Sequence, residues 1–327
     1  MRYTFLFIVG VVLSMPLFGQ FTYDHVMVDY ASAITYKNLK LVPIRSRPSF
    51  LEEANNPGRV DTQNYLSLRN AIETNQLIIR DRAGVNRLIM DNLSNQPIML
   101  MSGEILKGGK QDRVIAKDFI LQPNTVRNRV PVYCVEEKRW SSPKQWTYYH
   151  EGSMHLRRVV DQAQNQRKVW QEIAYELKRD GLSSKTRAYT SHSGNSQYSA
   201  IEAEYLQEFA FNDFTNPNDI VGIMGISGSV VIGCDLLASP ELFNREYEGL
   251  VYSYVDEAIT YGLPVDITDG AIKRYADKLL SNERMQQAFI KQYGKAFMMD
   301  GKLIHITTFD DRITVDELEA FKVRGRF

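Results

Sequence analysis

The sequence predicts an α+β fold: a mainly β N-terminal half with hairpins, then long helices packed on a sheet and two further β-hairpins. Three observations carry this. Apolar residues switch repeatedly between a period of two and one near 3.6 along the chain. Strand-like runs crowd into the N-terminal half, and two tight-turn signals, Ser227-Gly228 and Asp300-Gly301, sit between apolar runs later on. The composition agrees, since 327 residues with 44% hydrophobic and 24% charged content describe a globular chain that can bury a sizeable core. A balance of 39 basic against 39 acidic side chains argues against wholesale nucleic-acid binding. The mean hydropathy of −0.31 excludes a multi-span membrane protein.

Residues 1–20 stand apart: Arg2 precedes an apolar stretch from Phe5 to Leu13, followed by Ser14, Pro16 and Gly19. This pattern reads as a cleaved signal peptide, because the stretch is too short to span ~30 Å of hydrocarbon comfortably and no cysteine follows for lipidation. The expectation is an exported protein, periplasmic or extracellular, with no stable membrane insertion after cleavage. Residues 21–327 would form a single domain, with a sub-boundary permitted near 141–155.

In the mature chain, Ile34 to Ile44 reads as a strand and Tyr65 to Gln76 as a short helix. Leu77 to Asp81, Arg87 to Asp91 and Pro97 to Ser102 follow as strands. Val114 to Leu121 and Val126 to Val135 are further strands, joined by the turn Gln122-Pro123-Asn124-Thr125. Leu156, Val159, Val160, Ala163, Trp170, Ile173, Ala174 and Leu177 mark one stripe of a helix ending near Gly181. Leu182 to Gln197 has no apolar period and reads as an exposed loop, before a helix resumes from Tyr198 to Phe214. Asp219 to Ser227 and Ser229 to Leu237 form one hairpin, and Lys295 to Met299 and Lys302 to Thr308 the other. Between the hairpins lie helices from Pro240 to Tyr261, Thr268 to Ser281 and Glu283 to Tyr293.

Charge is uneven although its sum cancels. Residues 103–190 carry 17 Lys or Arg against 10 Asp or Glu, and residues 191–327 carry 12 against 21. Either the two regions pack with complementary fields, or the middle region offers a basic site to an anion, or the surface is simply uneven. Cys134 and Cys234 lie in apolar runs, 100 residues apart, and read as buried thiols, with a disulfide left open by export.

The densest chemistry is Gly103-Glu104-Ile105-Leu106-Lys107-Gly108-Gly109-Lys110-Gln111-Asp112-Arg113. A phosphate loop is excluded, because the glycine spacing is wrong and Gln111 stands where a magnesium-binding hydroxyl belongs. The glycines nevertheless permit close backbone approach, while Lys110, Gln111 and Arg113 offer donors and Glu104 a carboxylate. A second group follows the next strand, Cys134-Val135-Glu136-Glu137-Lys138-Arg139-Trp140, in which Arg139 can grip an anion and Trp140 can stack on a ring. A charged hairpin tip and a core tryptophan are the plainer readings of the two segments.

With Asp219 to Leu237 and the closing His305 strand, these segments resemble the bacterial and archaeal domain family associated with ADP-ribosylglycohydrolases and rhodanese-phosphatase proteins. The resemblance covers most of the mature chain. It departs at Asp112, where members tend to have Asn, and at Gly109, where they tend to have Ala. It implies a link to nucleotide-sugar or ADP-ribose chemistry. His25, His150, His155, His192 and His305 show no metal-ligand spacing, so neither a metal site nor a cofactor is expected.

Two functional classes follow. In the first, a small anionic or sugar/nucleotide-like ligand is held by Lys110, Gln111, Arg113, Arg139 and Trp140, with Glu104 or Glu136 as catalytic acid or base. In the second, the polar set is a structural network and a Trp/Tyr surface meets a macromolecule, making the protein an extracytoplasmic binding or scaffold module. The turn between the two strands predicts that Arg139 returns towards Gly109 to Arg113.

Overall fold

The computed structural model describes residues 21–48, 62, 64–81, 84–139 and 144–312, so the expected signal peptide lies outside the described residues. In chain order come β1 (Val26–Val28), β2 (Ile34–Tyr36), β3 (Leu39–Ser46), β4 (Leu66–Ser67) and α1 (Leu68–Glu73). Then follow β5 (Leu77–Arg80), β6 (Arg87–Asn92), β7 (Ile98–Leu100), β8 (Glu104–Gly109), β9 (Arg113–Ile115), β10 (Phe119–Leu121), β11 (Asn128–Cys134) and β12 (Lys144–Glu151). The second half supplies α2 (Met154–Arg158), α3 (Gln166–Arg179), α4 (Ser196–Glu208), β13 (Ile220–Ser227), β14 (Val230–Leu237) and α5 (Pro240–Thr260). It closes with α6 (Asp269–Leu280), α7 (Glu283–Tyr293), β15 (Gly294–Met299) and β16 (Lys302–Phe309). The fold is mixed α+β, as the switching periods predict. Among the described residues no helix is long and apolar enough to cross a membrane.

The strands form three sheets. One runs β12-β8-β9-β11-β6-β5, a small one β10-β7-β4, and the largest β1-β3-β13-β14-β16-β15 with β2 beside β3. The largest sheet is buried on both faces, which is why its central strands are almost continuously apolar. Leu39 and Leu41 of β3 pack with Phe243, Leu250 and Tyr254 of α5, while Val42 and Ile44 pack with Ile272, Leu279 and Phe289 of α6 and α7. The alternation of β3 thus sorts its side chains between two helical layers. The six-stranded sheet has its own core, in which Leu88, Leu106, Ile115 and Val130 meet Leu68 of α1. Its other face, through Ile105 and Val114, packs on Leu156 of α2 and Ile173 of α3.

Turn chemistry places both late hairpins where the sequence predicts them. Gly228 has φ 58° between β13 and β14, and Asp300 and Gly301 have φ 50° and 75° between β15 and β16. Elsewhere single elements break in two. The strand expected at Ile34 to Ile44 is a hairpin turning at Lys37, with φ 46°. The run Val114 to Leu121 divides between two sheets, as β9 and β10. The long helix expected to end near Gly181 is interrupted by a π turn at Val159–Ala163, then by left-handed Gln164 at φ 46°. Asn165 restarts it as α3 by accepting from the amides of Arg167 and Lys168. The expected exposed loop at Leu182 to Gln197 is instead partly interior, since Tyr189, Thr190 and His192 are buried. Polar side chains without periodicity concealed this, because each finds an internal partner: Tyr189 on Asp256, Thr190 on Asp112 and His192 on Asp180. Cys134 and Cys234 are free, buried thiols.

Candidate functional site

Antiparallel pairing of β9 and β11 sets Cys134 opposite Arg113, so the chain leaving β11 passes back beside the Gly108 to Asp112 turn. Arg139 then ties the segments together. Its Nε donates to Glu136 Oε2 at 2.5 Å, its Nη2 to Asp112 Oδ1 at 2.7 Å, and its two terminal nitrogens to the carbonyls of Gly109 and Gly108 at 3.0 Å each. Gln111 Nε2 donates to the Glu136 carbonyl at 2.8 Å, and Asp112 accepts from Thr190 Oγ1 at 2.6 Å. Arg113 is wholly buried, with Nη1 on the Gln111 carbonyl at 2.8 Å and Nη2 3.6 Å from the Asp81 carboxylate. The Lys110 amide donates to that same Asp81 at 3.1 Å. Gln111, Arg113, Glu136 and Arg139 are therefore brought together around the Lys110 backbone, through pairing of β9 with β11 rather than a hairpin at the Gln122 to Thr125 turn, but their donors face the protein's own oxygens. Trp140 lies outside the described residues. Gly109, at φ 49°, is required twice over: a Cβ there would stand 2.2 Å from the ring of Trp146.

Glu104 belongs to a different network. It begins β8, and a rise of ~3.3 Å per residue puts it ~16 Å from Gly109. It is buried, with Oε2 accepting from the Met101 amide at 2.6 Å and Oε1 without a hydrogen-bond partner. Glu151 pairs opposite it across β12, and Glu246 of α5 is buried close by. Arg157 of α2 forks onto Asp235 at 2.7 and 3.0 Å, while its Nε sits 2.9 Å from Glu151 Oε2 but out of line for a hydrogen bond. Asp235 also accepts from Tyr254 at 2.6 Å and Thr307 at 2.7 Å, and meets His305 Nε2 at 3.2 Å. The other nitrogen of His305 meets Asp118 at 2.9 Å, and Lys295 bridges Asp118 at 2.8 Å and Asp161 at 3.1 Å.

In this array carboxyls outnumber cations, and the carboxyls are removed from water. The consequence is a split in acidity. Burial, partly offset by Arg157, pushes Glu151 up to about 7; burial and the charge of Glu151 push Glu246 up to about 8. Burial, then Glu246 and Glu151, drive Glu104 well above the usual carboxylate range. Against the same burial, Arg157 and His305 hold Asp235 well below that range. Burial is likewise outweighed at His305, which Asp118 and Asp235 raise to about 9.

Two surface grooves border the six-stranded sheet, and Arg80 lines both. The first, of about 980 Å³, is bounded by α1, by β5 and by residues 145–148 of β12. Since β5 and β12 are the two edges of that sheet, this groove lies where the sheet fails to close on itself. Trp146 and Tyr148 give it aromatic walls, and Glu73 and Asp81 give it carboxylates. The second, of about 540 Å³, is lined by Arg80, Ile89, Asp91, Val126, Arg127 and Arg129. Arg80, Ile89 and Arg129 stand opposite one another across β5, β6 and β11, so strand register gathers the guanidinium groups.

Tyr148 connects the first groove with the buried array. A Cβ on Gly249 would meet the Tyr148 hydroxyl at 2.6 Å and Glu151 Cγ at 4.0 Å, which makes those side chains neighbours. Burial, then the charges of Glu104, Glu151 and Glu246, push the phenol well above its ordinary value. Sequence reasoning missed Arg80, Arg127 and Arg129, and saw Trp146 and Tyr148 only as part of a Trp/Tyr surface. The alternating pair Trp146-x-Tyr148 does signal a shared strand face, whereas Arg127, left-handed at φ 59° just before β11, reaches Arg129 by no strand alternation.

An α+β domain with an incompletely closed sheet and a buried carboxyl array is the class of protein these observations define. Residues 27–309 match the ARPP-1 family model, the ARG and Rhodanese-Phosphatase-superfamily-associated Protein domain, and the chain belongs to that family. No curated protein and no solved structure matches it.

Proposed function

We propose that the protein is an exported receptor for a small ligand that joins a sugar-like ring to an anionic group, as in a sugar phosphate or nucleotide sugar. The observation that carries this is Arg80, shared by a groove with aromatic walls and carboxylates and by a groove rich in guanidinium groups. An aromatic wall covers the apolar face of a ring, and carboxylates accept from its hydroxyls. Arg127 and Arg129 supply forked donors for phosphate. The knot formed by Arg139 and Arg113 supports the site from behind: it holds Asp81 and seats Trp146 against Gly109.

A thermal-shift screen of the mature protein against sugars, inorganic phosphate, sugar phosphates and nucleotide sugars tests this reading. Compounds with both parts should raise Tm more than either part alone, because only they occupy both grooves. Trp146→Ala and Arg129→Gln should each remove the gain. A gain that survives both substitutions, or none from any compound, sinks the proposal.

The link through Tyr148 favours a second reading, in which a bound ligand exchanges a proton with Glu151 and Glu246, whose acidities straddle the neutral range. Tyr148→Phe should then keep ligand binding and abolish turnover; full turnover in that variant rejects proton exchange through the phenol.

A further inference from the structure

Behind β12, on the side of α4 and α5, three side chains meet that neither groove uses. One oxygen or nitrogen each of His150, Glu202 and Asp256 lies within 4.8 Å of the others. They come from β12, α4 and α5, three regular elements packed on one another, so the cluster is held by rigid backbone. His150 and Asp256 are buried and Glu202 is nearly so. His150 Nε2 and Glu202 Oε1 face each other at 3.9 Å, and neither has a hydrogen-bond partner. A buried imidazole nitrogen and a buried carboxylate oxygen, both unsatisfied and aimed at one point, are costly to keep unless something occupies that point.

We propose that His150, Glu202 and Asp256 form a binding site for a divalent transition-metal cation, zinc foremost. The separation of 3.9 Å is within the span of two metal–ligand bonds of ~2.1 Å. One imidazole with two carboxylates is a donor set for zinc or manganese, and two carboxylate charges balance one divalent ion. The supporting groups are arranged as metal sites require. His150 Nδ1 touches the Glu151 carbonyl, which fixes the proton there and leaves Nε2 with its lone pair outward. The imidazole is clamped between Tyr149, with ring centroids 3.9 Å apart, and Tyr252, at 4.4 Å. Tyr198 and Tyr189 donate to the two oxygens of Asp256 at 3.0 and 2.7 Å, fixing the carboxylate plane while each oxygen keeps a second lone pair. The Glu202 side chain retains 14% exposure, which gives the ion a route from solvent.

The rival occupant is a proton shared by the neighbouring carboxyls of Glu202 and Asp256. Chelator-treated full-length protein would be titrated with Zn²⁺ and Co²⁺ by calorimetry, with Tm followed in parallel. The expected result is one equivalent bound, a rise in Tm, and affinity at least ~10-fold weaker in Glu202→Gln and Asp256→Asn. No stoichiometric binding, or binding unchanged in both variants, overturns the site in favour of the shared proton or a site elsewhere. Should a variant fail to fold, the Co²⁺ spectrum of the wild type decides. Bands of a nitrogen and oxygen donor set support the site, and thiolate charge transfer, pointing to Cys134 or Cys234, refutes it.

Discussion

The Arg139 knot and the Arg157 array are both networks of buried charge, and they are finished differently. In the knot, Arg139 meets carboxylates and carbonyls in nearly ideal positions, and the Asp112 carboxylate has Arg139, Thr190 and the Gly108 amide as partners. In the array, Glu104, Glu151 and Glu246 all keep oxygens without hydrogen bonds, and the carboxyls outnumber Arg157, Lys295 and His305. Arg113 leaves Nε and Nη2 without hydrogen-bond partners, so it is the carboxylates of the knot that are completed. A surplus of buried carboxyls is instead resolved by retaining protons, which leaves groups that can give and take them near neutral pH.

The sharpest way to break this contrast is Arg157→Met. Glu151 and Asp235 would lose their buried cation, and a loss of ~3–5 kcal/mol in urea unfolding is expected; a loss below ~1 kcal/mol would mean that the array absorbs the change by protonation alone. Arg139→Ala comes next. Stranding Asp112 and Glu136 should cost ~1.5–3 kcal/mol, somewhat relieved by water because the Arg139 side chain is 12% exposed.

The third effect is one of pH. Glu151 and Glu246 ordinarily titrate near 4.5, but near 7 and 8 in the folded protein. The folded state therefore binds more protons between these limits, and stability should fall as pH rises from about 5 to 9, by more than ~1 kcal/mol. Glu246→Gln should flatten that slope in denaturant melts at several pH values, and an unchanged slope would place the titration elsewhere. The smallest effect is expected for Glu104→Gln: its carboxyl is held protonated and the amide oxygen can still accept from Met101, so unfolding should shift by ~0.5 kcal/mol or less at pH 6.

Legibility followed chain distance. Ser227-Gly228 and Asp300-Gly301 announce their hairpins because a positive φ is a demand on one or two residues. The knot was readable in outcome but not in route: β11 returns Arg139 to Gly109 by pairing with β9, after the chain has passed through β10 in another sheet. The left-handed break at Gln164 was not, because the apolar stripe continues on both sides of it and only the backbone changes hand. Glu104 could be singled out, but not its partners: Glu151, Glu246 and Arg157 reach it through sheet register and helix packing. The metal cluster was invisible for the same reason, since its donors are Glu202, Asp256 and a histidine on three separate elements, with no spacing to read.

His305 and Asp118 are 187 positions apart, and Arg157 and Asp235 are 78 apart. Bringing such distant segments together costs loop-closure entropy before any contact rewards it. β14 supplies Asp235 and β16 supplies His305, so Asp118 and Arg157 have these partners only when both strands are in place. The acidity pattern of the array is therefore a property of the complete fold, since its members come from segments spread from Glu104 to His305.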